Sequence, residues 1–259
     1  MSSDETDPRG TRIQTLIARA GIASRRAAEE LMRSGHVRLN GKPCTEPGTR
    51  ASAEDKIEVD GKLLVAETKK LYLALNKPPG YICAMSDPYG RPTAASLLKP
   101  SVTERVYNVG RLDLESSGLI LFTNDGLFAA KAGHPSFGLI KEYVVKTDRR
   151  LHGTFAAQFE AGLEEGGDLL KAERVTVNDD YSFTVWLAEG RNREIRRALS
   201  LFGLKALSLQ RVSIGPVKLG ALVEGSYRHL DMAELESLEL IFNSSPGTTA
   251  NRTHEGAVQ

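Results

Sequence analysis

The segment NVGRLDLESSGLILFTNDG, spanning 108–126, sets one carboxylate, Asp113, between an Arg-Leu pair and a loop, directly ahead of an apolar run. A carboxylate in such a place can act as a nucleophile or take up a proton. The commoner fate of a loop-end aspartate is pairing with a neighbouring cation, here Arg111. A second segment, EGRNREIRRALSLFG (189–203), gathers Arg191, Arg193, Arg196 and Arg197 at the head of a helical pattern. A third, HPSFGLIKEYVV (134–145), carries Tyr143, which in an arbitrary strand would be a core residue with a satisfied hydroxyl. His134 precedes a proline and no partner is in view to orient its ring, so a structural role is expected. Cys44 and Cys83 lie far apart, outside metal-ligand or redox spacing, and read as packing residues rather than a disulfide or zinc site. Gly110 and Gly118 are too sparse for a phosphate-cradling loop, and neither a Walker nor a dinucleotide fingerprint occurs. Neither ATP, NAD, another cofactor nor a metal is expected. Trp186 falls in an alternating run with Phe183, Val185 and Leu187 and reads as packing.

Two sets of elements must position these groups. In the first, Ile13, Leu16, Ile17 and Ala20 recur at helical spacing with Gly21 as the stop. Ser24 can cap a second helix whose inward face is Ala27, Ala28, Leu31 and Met32, ending at Gly35. Val37 and Leu39 alternate before the turn pair Asn40-Gly41, and Ile57 and Val59 before Asp60-Gly61. In the second set, strand-like runs occur at 71–75, 118–123, 143–146, 174–177 and 183–187, interrupted by helical patterns. The last strong helix is expected over 193–202, where Ile195, Ala198, Leu199 and Phe202 share a face, Asn192 caps and Gly203 stops.

With 41% hydrophobic and 26% charged residues among 259, the chain is neither disordered nor fibrous. No apolar run reaches the roughly 18 residues of a membrane span, and the acidic start lacks a signal-peptide core, so a cytoplasmic protein is expected. The net charge is only +1, yet positive charge is concentrated. Between Arg9 and Lys42 eight cations face Glu29 and Glu30, and the 189–211 stretch is basic as well. A weakly offset basic face suits a phosphate backbone, which points to RNA or DNA. Polar tails are expected over 1–8 and 243–259, where few side chains can be buried.

The stretches LIARAGIASRRAAEELMRSGHVRLNGKP and KIEVDGK resemble the small RNA-binding module found in ribosomal protein S-four, over about 9–68. Four further pieces, NKPPGYICAMSDPYGRPT, VGRLDLESSGLILFTNDG, HPSFGLIKEYVV and EGRNREIRRALSLFG, resemble the RsuA family of ribosomal RNA pseudouridine synthases in order and spacing. That resemblance implies an α+β protein: the two-helix-plus-strands RNA-binding domain, then a catalytic domain over 69–242 built on a larger mixed, mainly antiparallel β-sheet flanked by helices, the pseudouridine synthase fold.

The resemblance further implies that Asp113 is the catalytic nucleophile, that Arg196 pairs with it, and that Tyr143 stacks on the target uracil. Such a carboxylate must stay ionised while shielded from water, which calls for an adjacent cation. An aromatic plane suits a base taken out of its stack. Arg111, Arg193, Arg197 and Ile195 are then expected at the substrate, and Arg19, Arg25, Arg26 and Arg33 on the RNA. The implied activity is isomerisation of a uridine in ribosomal RNA, free or in a pre-ribosomal particle, by a monomer. DPYGRPT and RNREIRR resemble members acting on the large subunit more than the small. Alternatives are a small-subunit target or a non-catalytic RNA-binding assembly factor; a DNA-binding regulator would need a recognition helix and a dimer interface that the sequence does not show.

Overall fold

Helical spacing of Ile13 and Ile17 buries both in α1 (Ile13–Arg19), and Gly21 leaves the helix with φ +73°. These and all later descriptions rest on a computed structural model that describes residues 10–65, 69–98 and 101–244; the expected tail at 1–8, and that at 243–259 from residue 245 on, lie outside them. Ser24 accepts a hydrogen bond from the Ala27 amide at 3.1 Å and starts α2 (Arg25–Arg33). Ala28 and Met32 are buried, but Ala27, expected inward, is exposed, because so short a helix turns only a narrow stripe to its partners. Strands β1 (Val37–Leu39) and β2 (Ile57–Val59) pair antiparallel, Val37 opposite Val59. Each leads into a tight turn whose two central residues have positive φ, Asn40-Gly41 and Asp60-Gly61, as the residue pairs require.

The larger domain is one mixed sheet, mainly antiparallel. Its strands of three or more residues are β3 (Tyr72–Lys77), β4 (Tyr107–Val109), β5 (Ser117–Thr123), β6 (Lys141–Thr147), β7 (Arg174–Asp179), β8 (Ser182–Leu187), β9 (Ala206–Ile214) and β10 (Tyr227–His229). The main path runs β7-β8-β6-β9-β5-β3-β10, and β4 adds to β5. The β9–β5 pair is parallel, with Arg211 opposite Gly118. Alternation sends neighbours to opposite faces. Leu73, Leu75, Ile120 and Phe122 join one core with helices α4 (Phe155–Ala161) and α5 (Glu194–Leu201). Ala74, Leu119 and Leu121 join another with α3 (Gly126–Gly133) and α6 (Met232–Ser244). Fully buried Phe155 lies 5.0 Å from Phe183 and 5.1 Å from Phe202, a cluster in which each ring contributes about 2 kcal/mol of burial.

Three expectations change. Helix α5 begins at Glu194, and its cap position is Arg193 in the left-handed region (φ +50°) rather than Asn192. Buried Glu194 accepts hydrogen bonds from the Arg191 amide at 3.0 Å and the Lys171 amide at 3.3 Å, so its carboxylate ties the helix start down. The last helix is α6, not α5: Asp231 accepts from the Glu234 amide (2.8 Å) and donates its own amide to Glu234 (3.1 Å), a reciprocal capping box. It carries helix through Ser244, so the first two residues of the expected tail, 243 and 244, are helical. Among the described residues no helix is long and apolar enough to cross a membrane.

Candidate active site

Strand β4 ends at Val109, and Gly110 (φ +70°) turns the chain toward Asp113. Several hydrogen bonds fix that loop, among them those from the Leu112 amide to Cys83 Sγ at 3.2 Å and from the Ser116 amide to the Asp113 carbonyl at 3.1 Å. Asp113 opens into a cavity of about 340 Å³ that Arg111, Tyr143, Ile195, Arg196 and Arg211 also line. Pockets for small molecules and single nucleotides begin at about this size.

Two cations face the carboxylate. Arg196 Nε lies 4.0 Å from Asp113 Oδ2, and Arg193 Nη1 lies 3.9 Å from the same oxygen. Arg193 is shared with Glu115 at 3.0 Å, and that hydrogen bond holds the Glu115 carboxyl below the usual range. The expected pairing with Arg196 is thus one of two contacts, both longer than a hydrogen bond. Nor is Asp113 closed off from water, its side chain being 34% exposed. Arg196 is the more enclosed cation. Its Nη2 donates to Ser116 Oγ and its Nη1 to the Ala206 carbonyl, each at 3.4 Å, while Nε has no hydrogen-bond partner.

Tyr143 is buried on β6, its ladder partners being Val185 on one side and Arg211 on the other. Its hydroxyl faces Arg211 Nη1 at 3.5 Å. Ile195 is buried in the core and at the same time lines the cavity. Arg111 is exposed at the rim. Arg197, expected at the substrate, lies elsewhere: it binds Glu165 and Asp168, 2.8 Å from the Asp168 carboxylate, and clamps the hairpin of 163–170 onto α5. Successive helical residues diverge by about 100°, and Arg197 is the one turned toward Glu165 and Asp168.

Three further cations at or beside the cavity have no role in the sequence reading, although Lys77 and Lys141 lie within two of the segments that carry the resemblance. Lys77 is fully buried and donates to the Pro78 and Tyr81 carbonyls, each at 2.9 Å; burial pushes its pKa down. Lys141 lines the cavity and is shifted downward by burial, with Arg211 nearby as a further cause. Arg211 is 3% exposed. It does carry a signal in the sequence: Leu209, Arg211 and Ser213 alternate along β9, which puts a charge in an inward register.

In the small domain Arg19, Arg25 and Arg26 line a crevice together with Arg105 and Tyr107 of the large domain. Arg33 pairs with Glu30 at 3.4 Å and Glu29 at 3.8 Å. His134 is structural: its Nδ1 accepts from the Ser136 amide at 3.2 Å and caps a short turn. Trp186 lies under the Arg174 guanidinium at 5.1 Å. Among the described residues no group of His, Cys, Asp and Glu side chains is placed to hold a metal ion.

Residues 71–201 match the RNA pseudouridylate synthase family, and residues 11–57 match the S4 domain. An uncharacterized RNA pseudouridine synthase of Mycobacterium bovis is 38% identical over 242 residues, 91% of this chain and 95% of its own length. The ribosomal large subunit pseudouridine synthase B of Bacillus subtilis is 37% identical over 238 residues, 89% of this chain and 96% of its own. A crystal structure of a pseudouridylate synthase is similar at TM-score 0.65 and 29% identity, covering 88% of this chain and 99% of that one. The chain belongs to the RNA pseudouridine synthase family. It carries an S4 domain ahead of the catalytic sheet.

Proposed function

We propose that this protein isomerises a uridine of large-subunit ribosomal RNA to pseudouridine, with Asp113 as the nucleophile. The observation that carries the reading is the placement of Asp113 in one cavity with Tyr143 and two guanidiniums, in a chain whose relative from Bacillus subtilis is named for the large subunit.

The reaction needs neither redox change nor metal. The bond from base N1 to ribose C1′ breaks and its electron pair stays with the uracil; the Asp113 carboxylate takes C1′ as an ester. The base turns, C5 bonds to C1′ and the carboxylate leaves; C5 gives up its proton and N1 gains one. Tyr143 offers the base a buried aromatic face, and extruding that base costs a few kcal/mol that such stacking offsets. Arg196 and Arg193 flank the Asp113 carboxyl group, while Arg111 at the rim meets the flanking backbone. Residues 9–68 dock on folded RNA through the phosphate-facing cations Arg19, Arg25 and Arg26, and 69–242 form the catalytic unit. A-form grooves hide sequence, so recognition rests on shape and on exposed loops.

The test uses purified protein and unmodified transcripts of both ribosomal RNAs. Carbodiimide labelling and primer extension locate product, since product and substrate are isomers of equal mass. One stop on the large-subunit RNA, absent with Asp113→Asn, is the expected result. A stop only on the small-subunit RNA overturns the target, and full turnover by Asp113→Asn overturns the role of the carboxylate.

A further inference from the structure

The guanidinium of Arg211 is almost wholly buried beside the reacting groups, and it is only partly satisfied. Its Nε donates to the Leu119 carbonyl at 2.7 Å, and Nη1 faces the Tyr143 hydroxyl at 3.5 Å. Its Nη2 is buried with no hydrogen-bond partner, and among the described residues no carboxylate forms an ion pair with it. Its two cationic neighbours aggravate this, since Lys77 and Lys141 both feel its charge as repulsive. A buried guanidinium cannot shed its proton, and leaving a charge uncompensated in the interior is strongly unfavourable. The backbone nonetheless forces it there. Arg211 stands on the central strand β9, opposite Tyr143 on one side and Gly118 on the other, and a Cβ on Gly118 would meet the Arg211 carbonyl at 2.3 Å.

We propose that Arg211 is a catalytic residue whose Nη2 donates to an exocyclic oxygen of the uracil held on Tyr143, stabilising the negative charge that passes to the base as N1–C1′ breaks. This rests on the isomerase reading given above. The electron pair of the broken bond spreads from N1 onto O2 and O4, and a fixed cation in an enclosed site favours that anion over neutral uridine. The cation lines the cavity on the Tyr143 side, whereas Arg193 and Arg196 serve the carboxylate. The leaving base and the nucleophile thus each have their own positive group.

The experiment uses the full chain and a large-subunit RNA fragment containing the uridine mapped as described above. Arg211→Gln is expected to lower kcat about 100-fold while the Kd for RNA stays within about twofold. Arg211→Lys, which keeps the charge, is expected to recover part of that loss. Fragments with 2-thiouridine or 4-thiouridine at the target probe the acceptor without altering the protein. With wild type, one of the two is expected to react at least about tenfold slower than uridine, and this penalty should shrink in Arg211→Lys. A kcat within about threefold of wild type for Arg211→Gln overturns the proposal, as does a loss confined to RNA affinity, which would put the cation on a phosphate. Should Arg211→Gln not fold, equal wild-type rates on both thio-substrates and uridine overturn it as well. Wild-type turnover in the same assay distinguishes a failure of the Arg211 role from a failure of the isomerase reading.

Discussion

Gly118 and Arg211 face each other across the parallel β5–β9 ladder with no room for a side chain between them. Gly118 has φ +100°, and an added Cβ would lie 2.3 Å from the Arg211 carbonyl oxygen and 2.7 Å from its amide nitrogen. Both contacts are with backbone, so relief must come from the strands parting. Gly118→Ala is therefore expected to destabilise the fold by about 3 kcal/mol, read from urea unfolding, and to lower kcat by displacing β9. Wild-type stability would mean that the ladder is looser than its geometry.

The two cations at Asp113 differ in what else holds them. Arg196 is the more enclosed and reaches both Asp113 and Glu115 through Nε, while half-exposed Arg193 makes its short contact with Glu115. Arg196→Met is expected to keep a cooperative fold but to lower kcat at least about tenfold, whereas Arg193→Ala costs less because water screens that pair. Single-turnover rates with circular dichroism as a folding control decide this. Equal losses in the two variants would remove the distinction.

Arg25 and Arg26 line the crevice between the domains, whereas Arg33 is paired with Glu29 and Glu30. Reversing both Arg25 and Arg26 to Glu is expected to weaken RNA binding and to flatten the slope of log K against log salt by roughly 1 to 2. Arg33→Ala should change that slope by less. Filter binding across a salt series checks both, and an unchanged slope in the double variant would exclude this crevice as the docking face.

Burial and the neighbouring Asp125 carboxylate push the Tyr72 hydroxyl up to about 12, and burial does the same for Tyr107, also to about 12. A phenol raised above its ordinary 10.0 in the folded state contributes stability that is complete below pH 10 and is lost as pH rises toward 12. Unfolding titrations should show that alkaline decline, with phenolate absorbance revealing two tyrosines that ionise near 12. Asp125→Ala tests the other end of the contact. Asp125 also accepts from the Leu127 amide at 3.0 Å at the start of α3, so its loss is expected to cost about 2 kcal/mol, more than an isolated cap.

Local rules bring the small domain into view. The turns at Asn40-Gly41 and Asp60-Gly61 adopt the positive φ that their residues favour, and Ser24 caps α2 as its type suggests. The large strands are legible from apolar runs, because a sheet covered on both faces leaves continuous hydrophobic stretches such as Leu119–Phe122. Helix α6 has an equally legible start in Asp231 and Glu234 ahead of Leu235, Leu238 and Phe242, although the last strong helix is expected earlier, at 193–202. The site is harder. Asp113, Tyr143, Ile195 and Arg196 are placed through resemblance, and the structure brings them to one cavity. Arg193 at φ +50° and Arg197 turned away toward Glu165 depend on tertiary contacts that no local pattern encodes.

The parallel ladder between β5 and β9 has a temporal side. Arg211 reaches the Leu119 carbonyl across 92 positions of sequence, and such distant pairings close late in folding because the intervening chain must first be ordered. A nascent chain that has emerged only as far as α5 already carries Asp113, Tyr143 and Arg196 but lacks the strand that walls the cavity beside them. A copy made only through α5 therefore has no finished cavity around Asp113, Tyr143 and Arg196.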